Sequence, residues 1–356
     1  MLVTKHRGRH SLKARDFDAE SEGTVVTDSD PLLNLLREMA LAAGMIAILV
    51  LGLFAHTGSM PPLVVVESSS MIHDTNGEVG SIDAGDLVLV HNQPMDTVTT
   101  FAEASNPSHP RYGYEQHGMA GDVIIYDKNG EGGTPIIHRA ILEVVPNVIE
   151  NPDRTAAPDD PTVLHCPDGG SYDDAVIALD GLYGACIMTW NVPGTNVVNQ
   201  STITIAFDGE DAAYYDCNRP AHANVEPFLV VWNWTPSQAG IMTLGDNNNC
   251  SVDQGPSAVN GSAGVHSASG IVRPIRDSWL IGVAGGEIPW LGTVKLALNT
   301  DPASPGTIYV PNSSYFALFL VVAGVLLAPM ALEPVLNRFI QNAPEVKRAT
   351  DEMEEE

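Results

Sequence analysis

The chain has 356 residues, with 17 Lys and Arg against 44 Asp and Glu, a formal net charge of −27. That charge disfavours nucleic acid as a partner, since one polyanion repels another. Hydrophobic residues still make up 44% of the chain, so they are clustered rather than spread, and the length suits about two domains or one with appendages.

Residues 1–30 are polar and mixed in charge, a composition that predicts disorder. The first apolar cluster follows. No charged residue lies between Glu38 and Glu67, and residues 39–55 read MALAAGMIAILVLGLFA. A second uncharged stretch runs from Asp301 to Glu333 and contains YFALFLVVAGVLLAPMAL at 315–332. Each reaches the ~17–20 residues that cross a hydrocarbon core as a helix; a buried core helix is the competing reading. A cleaved signal peptide suits the first run poorly, because such signals begin at the N-terminus and 38 residues precede this one. Lys5, Arg7, Arg9, Lys13, Arg15 and Arg37 precede the first run, and Arg338, Lys347 and Arg348 follow the second. The positive-inside rule then predicts an integral membrane protein with both termini cytoplasmic and segment 57–314 outside. That segment holds eight bases against thirty acids, a net of −22, an exterior suited to high salt.

The outer segment reads as strands: 63–66 after Pro61-Pro62, 86–91, 123–126, 135–145, 202–207, 227–232 and 279–283, punctuated by Gly, Asn, Asp and Pro. No long stretch holds a helical period, so the expectation is a mainly β chain, with an all-β domain anchored by an N-terminal and a C-terminal transmembrane helix. Composition shifts between 146 and 225 to Asp, Asn, Pro and Gly, with three of the four cysteines, which predicts a β-rich insertion. The expected organisation is a cytoplasmic segment 1–37, a span 38–57, a domain in two parts at 58–145 and 226–310 around the insertion 146–225, a span 313–332 and an acidic tail 333–356.

Cys166, Cys186, Cys217 and Cys250 all fall outside, where an even count allows two disulfides in three connectivities. The reading is that they tie the insertion to itself and, through Cys250, to the loop from Asp246 to Asp253. Zinc is the alternative, but no C-x-x-C or H-x-x-H pair occurs. Five N-x-S/T sequons, at Asn199, Asn233, Asn249, Asn260 and Asn312, suit an exported domain, though so short a motif recurs by chance.

Chemistry concentrates at a few places. E-S-S-S-M at 67–71 follows a strand; a serine cluster there is ordinarily just a turn. G-D opens strands at Gly85 and Gly121, P-I-I-H-R places His138 in an apolar run, and G-D-N-N-N-C-S-V-D sets Asp246 and Asp253 seven apart. In this order (S-x-S-M, G-D-L-V-L-V, G-D-V-I-I-Y, P-I-I-H-R, G-D-N-N…D, and I-G-V-A-G-G-E-I-P-W-L-G at 281–292) the sequence resembles type I signal peptidases, in their archaeal and endoplasmic-reticulum form. The likeness covers roughly a quarter of the chain; no one motif decides it, while the ordered set is specific. It implies a signal-peptidase-like fold with Ser70 as nucleophile, His138 as general base and Asp253 as its acid partner. It further implies Asp246 as a supporting aspartate, and Ser68 beside Ser70 in the oxyanion hole. Three departures are plain. His73 stands where the family often has Pro, the aspartates are seven rather than six apart, and the insertion is longer and carries cysteines.

The residues agree on their own terms. A serine hydroxyl is weak until a base takes its proton. Only Lys128 and Lys295 lie in the outer segment, one in a D-K-N-G turn and one after P-W-L-G, neither a dry setting for a Ser–Lys dyad. Histidine needs no burial to act near neutral pH, only a carboxylate to fix its tautomer. His73, three residues from Ser70, is the other candidate base. The function implied is removal of signal peptides from exported preproteins after small residues, by a membrane serine endopeptidase that needs no metal or cofactor. Its partners would be preproteins and the lipid bilayer, with the protein translocation channel a further candidate and no nucleic acid. The alternative is a non-catalytic, membrane-anchored surface binding protein on a peptidase scaffold.

Overall fold

The computed structural model describes residues 31–150, 186–210, 212–218, 227–255, 264–299 and 306–342. The expected disordered N-terminal segment, residues 343–356 of the acidic tail, Cys166, Asn260 and most of the insertion's first half lie outside the described residues; residues 333–342, expected in the tail, are helical. The chain divides into two units, one ending at Leu51 and one running from Gly52 to the end.

The first unit is the body of helix α1 (Pro31–Thr57). Proline suits a first helical position, where its missing N–H has no partner to lose. The helix is 27 residues long, about 40 Å at 1.5 Å per residue. It starts seven residues before the expected span, and its large apolar side chains are exposed (Leu49 64%). Its C-terminal turn belongs to the second unit. There Gly58, at φ +68°, donates its N–H to the Phe54 carbonyl, a left-handed stop that glycine adopts without strain.

The second unit is built on antiparallel pairs. Its strands are β1 (Leu63–Val65), β2 (Leu87–His91), β3 (Glu115–Gln116), β4 (Met119–Ala120), β5 (Val123–Tyr126), β6 (Ile136–Glu150), β7 (Cys186–Asn191), β8 (Ile203–Ala206), β9 (Val230–Trp234), β10 (Gly240–Leu244), β11 (His266–Ser267), β12 (Gly270–Ile271) and β13 (Leu280–Ile288). The main sheet runs β1-β2-β13-β5-β6-β10, with β7 also on β6. Three two-stranded sheets, β3–β4, β8–β9 and β11–β12, complete it among the described residues. Helix α2 (Phe101–Ala104) is closed by a capping box between Thr100 and Glu103; α3 (Thr293–Leu298) and α4 (Asn312–Asn342) follow β13. Helix α4 contains the second apolar run with Pro329, and continues past the expected span through Pro334. Helix and strand are thus both well represented: antiparallel sheet preceded and followed in the sequence by a long apolar helix, a mixed content rather than a clearly β one.

The sheet has a core on each face because β5 alternates. Val123 and Ile125 join Val66, Met71, Val88 and Val90 on one side. Ile124 and Tyr126 join Ala140, Ile241, Ile275 and Trp279 on the other. Strand β6 is the pivot. Its first half lies between β5 and β10, pairing Ile124 with His138 and Leu244 with Arg139. Its second half pairs with β7, Val145 opposite Asn191, so it continues past the expected boundary at 145 into the insertion. A third core packs the described part of that insertion onto β6 and β10 through Ile141, Leu142, Trp190, Phe207, Tyr215, Val231 and Leu244.

Candidate active site

Ser70 lies four residues after Val66, in the loop that leaves β1. The loop's main chain is fixed by the turn after β10: Asn247 donates its N–H to the Ser70 carbonyl at 2.7 Å and its side-chain amide to the Ser69 carbonyl at 3.0 Å. Met71 anchors the loop in the core, 2% exposed. The Ser70 hydroxyl is left half-buried and forms a 3.0 Å hydrogen bond with Ser68 Oγ.

His138 is held by β6 between β5 and β10 and is 5% exposed. Its Nδ1 lies 2.6 Å from Asp253 Oδ2. That same oxygen accepts the Tyr126 hydroxyl at 2.7 Å and the Thr243 hydroxyl at 2.6 Å. An acceptor-only carboxylate at Nδ1 places the ring proton there and leaves Nε2 to accept. Asn248 offers its amide to Nε2 at 3.4 Å. Gly245 has to be glycine: a Cβ there would sit 2.7 Å from His138 Nε2 and 2.8 Å from the Asn248 side chain.

Ser68, Ser70, His138 and Asn248 line one cavity of about 330 Å³, whose walls are otherwise Val65, Val66, Glu67, Met71 and Thr134–Ile137. Larger cavities lie elsewhere, one of about 560 Å³ beside Arg111, Tyr112 and Tyr114 and one of about 500 Å³ beside His91, His117 and Glu287. Neither is lined by Ser70, His138 or Asp253.

Asp246 is brought to the other side of this turn. It takes a two-pronged ion pair from Arg139, Nε at 2.8 Å and Nη2 at 2.7 Å, and a 2.9 Å hydrogen bond with His73 Nε2. Burial raises the cost of ionising this carboxyl, but the Arg139 guanidinium and the His73 bond outweigh it and hold its pKa well below the usual range. Arg139 is wholly buried and also donates to the carbonyls of Gln116 (3.0 Å) and Gly121 (2.8 Å). Asp246 thus pairs with Arg139 and His73, while Asp253 alone carries the bond to His138.

Sequence reasoning missed Tyr126, Thr243, Asn247 and Asn248. Tyr126 ends G-D-V-I-I-Y, and Thr243 stands two residues before G-D-N-N-N, so motif adjacency was the available signal. Lys128 and Lys295 do not line the cavity. Lys295 is 59% exposed and paired at 2.8 Å with Glu67, which does line it. Among the described residues no group of three or more His, Cys, Asp and Glu side chains is arranged to hold a metal ion. Cys217 and Cys250 are joined, tying the insertion to the acid-bearing turn as expected; Cys166 lies outside the described residues.

No family model, curated protein or solved structure matches the chain. The site therefore has to be read from its own geometry.

Proposed function

We propose that the chain is a membrane-bound serine endopeptidase of the signal-peptidase type, cutting preproteins after small residues on the extracytoplasmic face. The observation that carries this is the convergence on one cavity of a serine hydroxyl and a histidine whose far nitrogen is fixed by a buried carboxylate at 2.6 Å.

The chemistry follows from those atoms. The Ser70 hydroxyl turns from Ser68 to His138 Nε2, gives up its proton there, and its oxygen attacks the scissile carbonyl. Asp253 keeps the ring oriented and stabilises the imidazolium, with Tyr126 and Thr243 fixing the carboxylate. The Ser68 hydroxyl, released from Ser70, donates to the oxyanion. His138 returns the proton to the leaving amine, and water then repeats the cycle on the acyl-enzyme.

Two features support the substrate class. Among the described residues strand β1 ends the strand order and pairs on one side only, with β2; an extended peptide can add to such an edge. The cavity beside it has an apolar wall at Val65, Val66, Pro135, Ile136 and Ile137, with Glu67 and Thr134 also lining it; that wall suits a small apolar side chain. The long apolar helices α1 and α4 supply the length to cross a bilayer; with basic residues on their outer flanks, both termini belong in the cytoplasm.

The test is cleavage of a preprotein by the full-length protein in detergent, wild type beside Ser70→Ala. Wild type should release the signal peptide and Ser70→Ala should not. A non-catalytic binding protein would leave the preprotein intact in both.

A further inference from the structure

The turn that carries both aspartates is held from outside the main sheet. Cys250 is joined by a disulfide to Cys217, and Tyr215 donates its hydroxyl to Asp246 Oδ1 at 3.4 Å. Tyr215 and Cys217 belong to a strip stitched into the β8–β9 hairpin. Tyr215 N donates to the Phe207 carbonyl at 3.0 Å, and Cys217 N to the Pro227 carbonyl at 3.2 Å. Both sulfurs are in the core, at 1% and 2% residue exposure. Asn249 and Cys250 have φ of +56° and +48°, a region that residues with side chains keep only when their surroundings hold them there. On either side of these two, Asn247 fixes the Ser70 main chain and Asp253 fixes His138. The tether is therefore attached midway between the two contacts on which the reacting geometry depends.

We propose that the β8–β9 lobe is a positioning element for the catalytic set, and that the Cys217–Cys250 bond makes turnover at this site depend on oxidation. The inference rests on the serine-peptidase reading above. A dithiol reduces the bond by giving it two electrons and two protons: the sulfur–sulfur bond breaks, two cysteine thiols form, and the dithiol closes to its own disulfide. The turn then keeps its packing but loses its covalent hold, and Asn247 and Asp253 are free to shift against Ser70 and His138. A shift of about 1 Å in a reacting geometry costs on the order of 10²-fold in rate. The apolar walls of the substrate cavity, Val65, Val66 and Pro135–Ile137, belong to other elements, and the turn itself contributes Asn248 alone, so binding changes less than turnover.

The experiment measures kcat and KM for preprotein cleavage by the full-length protein in detergent. Cys217→Ala/Cys250→Ala should lose about 10–100-fold in kcat with KM within about twofold of wild type. Tyr215→Phe, which keeps the ring and removes only the hydroxyl, should lose about 2–5-fold in kcat alone. Should the alanine pair fail to fold, dithiothreitol applied to Cys166→Ala/Cys186→Ala is the equivalent arm: kcat should fall on reduction and return on reoxidation. A folded alanine pair with wild-type kcat, a reduced protein with unchanged kcat, or a loss carried by KM alone would overturn the inference. An oxidised wild type that cleaves nothing would instead overturn the peptidase reading, and this inference with it.

Discussion

Asp253 shows how much of the site depends on single atoms. Its Oδ2 accepts from His138, Tyr126 and Thr243 at once, all within 2.7 Å. Removing one donor weakens the carboxylate's solvation in a place water does not reach, typically about 1–3 kcal/mol for a buried polar group. Tyr126→Phe should therefore keep the fold, lower its stability by about that amount, and reduce kcat more than KM; equal kcat in the two proteins would count against a role for the hydroxyl. Ser68→Ala should keep residual cleavage, about 10²–10³-fold below wild type, as loss of one oxyanion donor does. Gly245→Ala should be severe, because its Cβ meets His138 and Asn248 head-on. At this scale the sequence was partly legible. Ser70, His138, Asp246 and Asp253 stand in motifs whose spacing can be read. Tyr126 and Thr243 adjoin those motifs, but each looks like an ordinary strand residue until β5 and β10 bring it to a carboxylate that lies 127 and 10 residues away in the chain.

At the scale of elements, β6 carries the site on one face and its support on the next residue. Arg139 holds Asp246 and, through the Gln116 and His117 carbonyls, the β3–β4 turn together with no exposure to water. Arg139→Met should cost about 3–5 kcal/mol in a denaturant melt, because it strands a buried carboxylate; a loss under about 1 kcal/mol would mean Asp246 finds another partner. The loop after Ser70 and the end of β13 meet in a second knot of acids. Glu78 N donates to Asp83 Oδ2 at 2.7 Å, Asp83 N to Asp86 Oδ2 at 2.9 Å, and Gly80 N to Glu287 Oε1. Burial first, and then the charges of Asp86, Glu287 and Glu78, push Asp83 up to about 7 against the pull of the Glu78 N–H. Burial and Asp86 likewise push Glu287 up to about 7. A carboxyl raised on folding contributes stability that is full below its unfolded pKa, ~4, and is lost as pH climbs through its folded value. The loop should thus loosen between pH ~4 and about 7, seen as faster amide exchange at Ser81–Asp86, and Asp83→Asn should flatten that dependence. Identical slopes in the two proteins would refute it. Strands were legible where β-branched residues run between turn residues, as at 87–91 and 123–126. β10, G-I-M-T-L, holds two β-branched residues as β2 does, but runs straight into the G-D-N-N-N motif, which hides its pattern. The two-residue strands β3, β4, β11 and β12 are too short to leave a pattern.

For the molecule as a whole, charge and hydropathy spoke most clearly. The two uncharged runs are helices, each longer than expected, because Pro31 begins α1 ahead of the apolar stretch and α4 extends past Leu332. How the insertion attaches was only half legible. The cysteine count suggested a tether through Cys250, while its packing on β6 and β10 depends on Trp190, Phe207 and Tyr215, whose burial no local pattern announces. For orientation, protease added to intact cells should cut within 57–314 and spare a C-terminal tag. A tag reached from outside would remove or reverse the second span.

The claim on which the rest depends is that His138, and not a lysine, takes the proton of Ser70. The competing base has one structural argument: Lys295 reaches Glu67 at the cavity wall. A single-turnover cleavage rate, measured on a preprotein in detergent for His138→Ala and for Lys128→Met/Lys295→Met, separates the two. His138→Ala should fall by several orders of magnitude, as loss of a triad member does, while the double lysine variant cleaves at close to the wild-type rate. A folded double variant that is inactive, beside a His138→Ala that still cuts, would replace the Ser–His–Asp assignment with a Ser–Lys one.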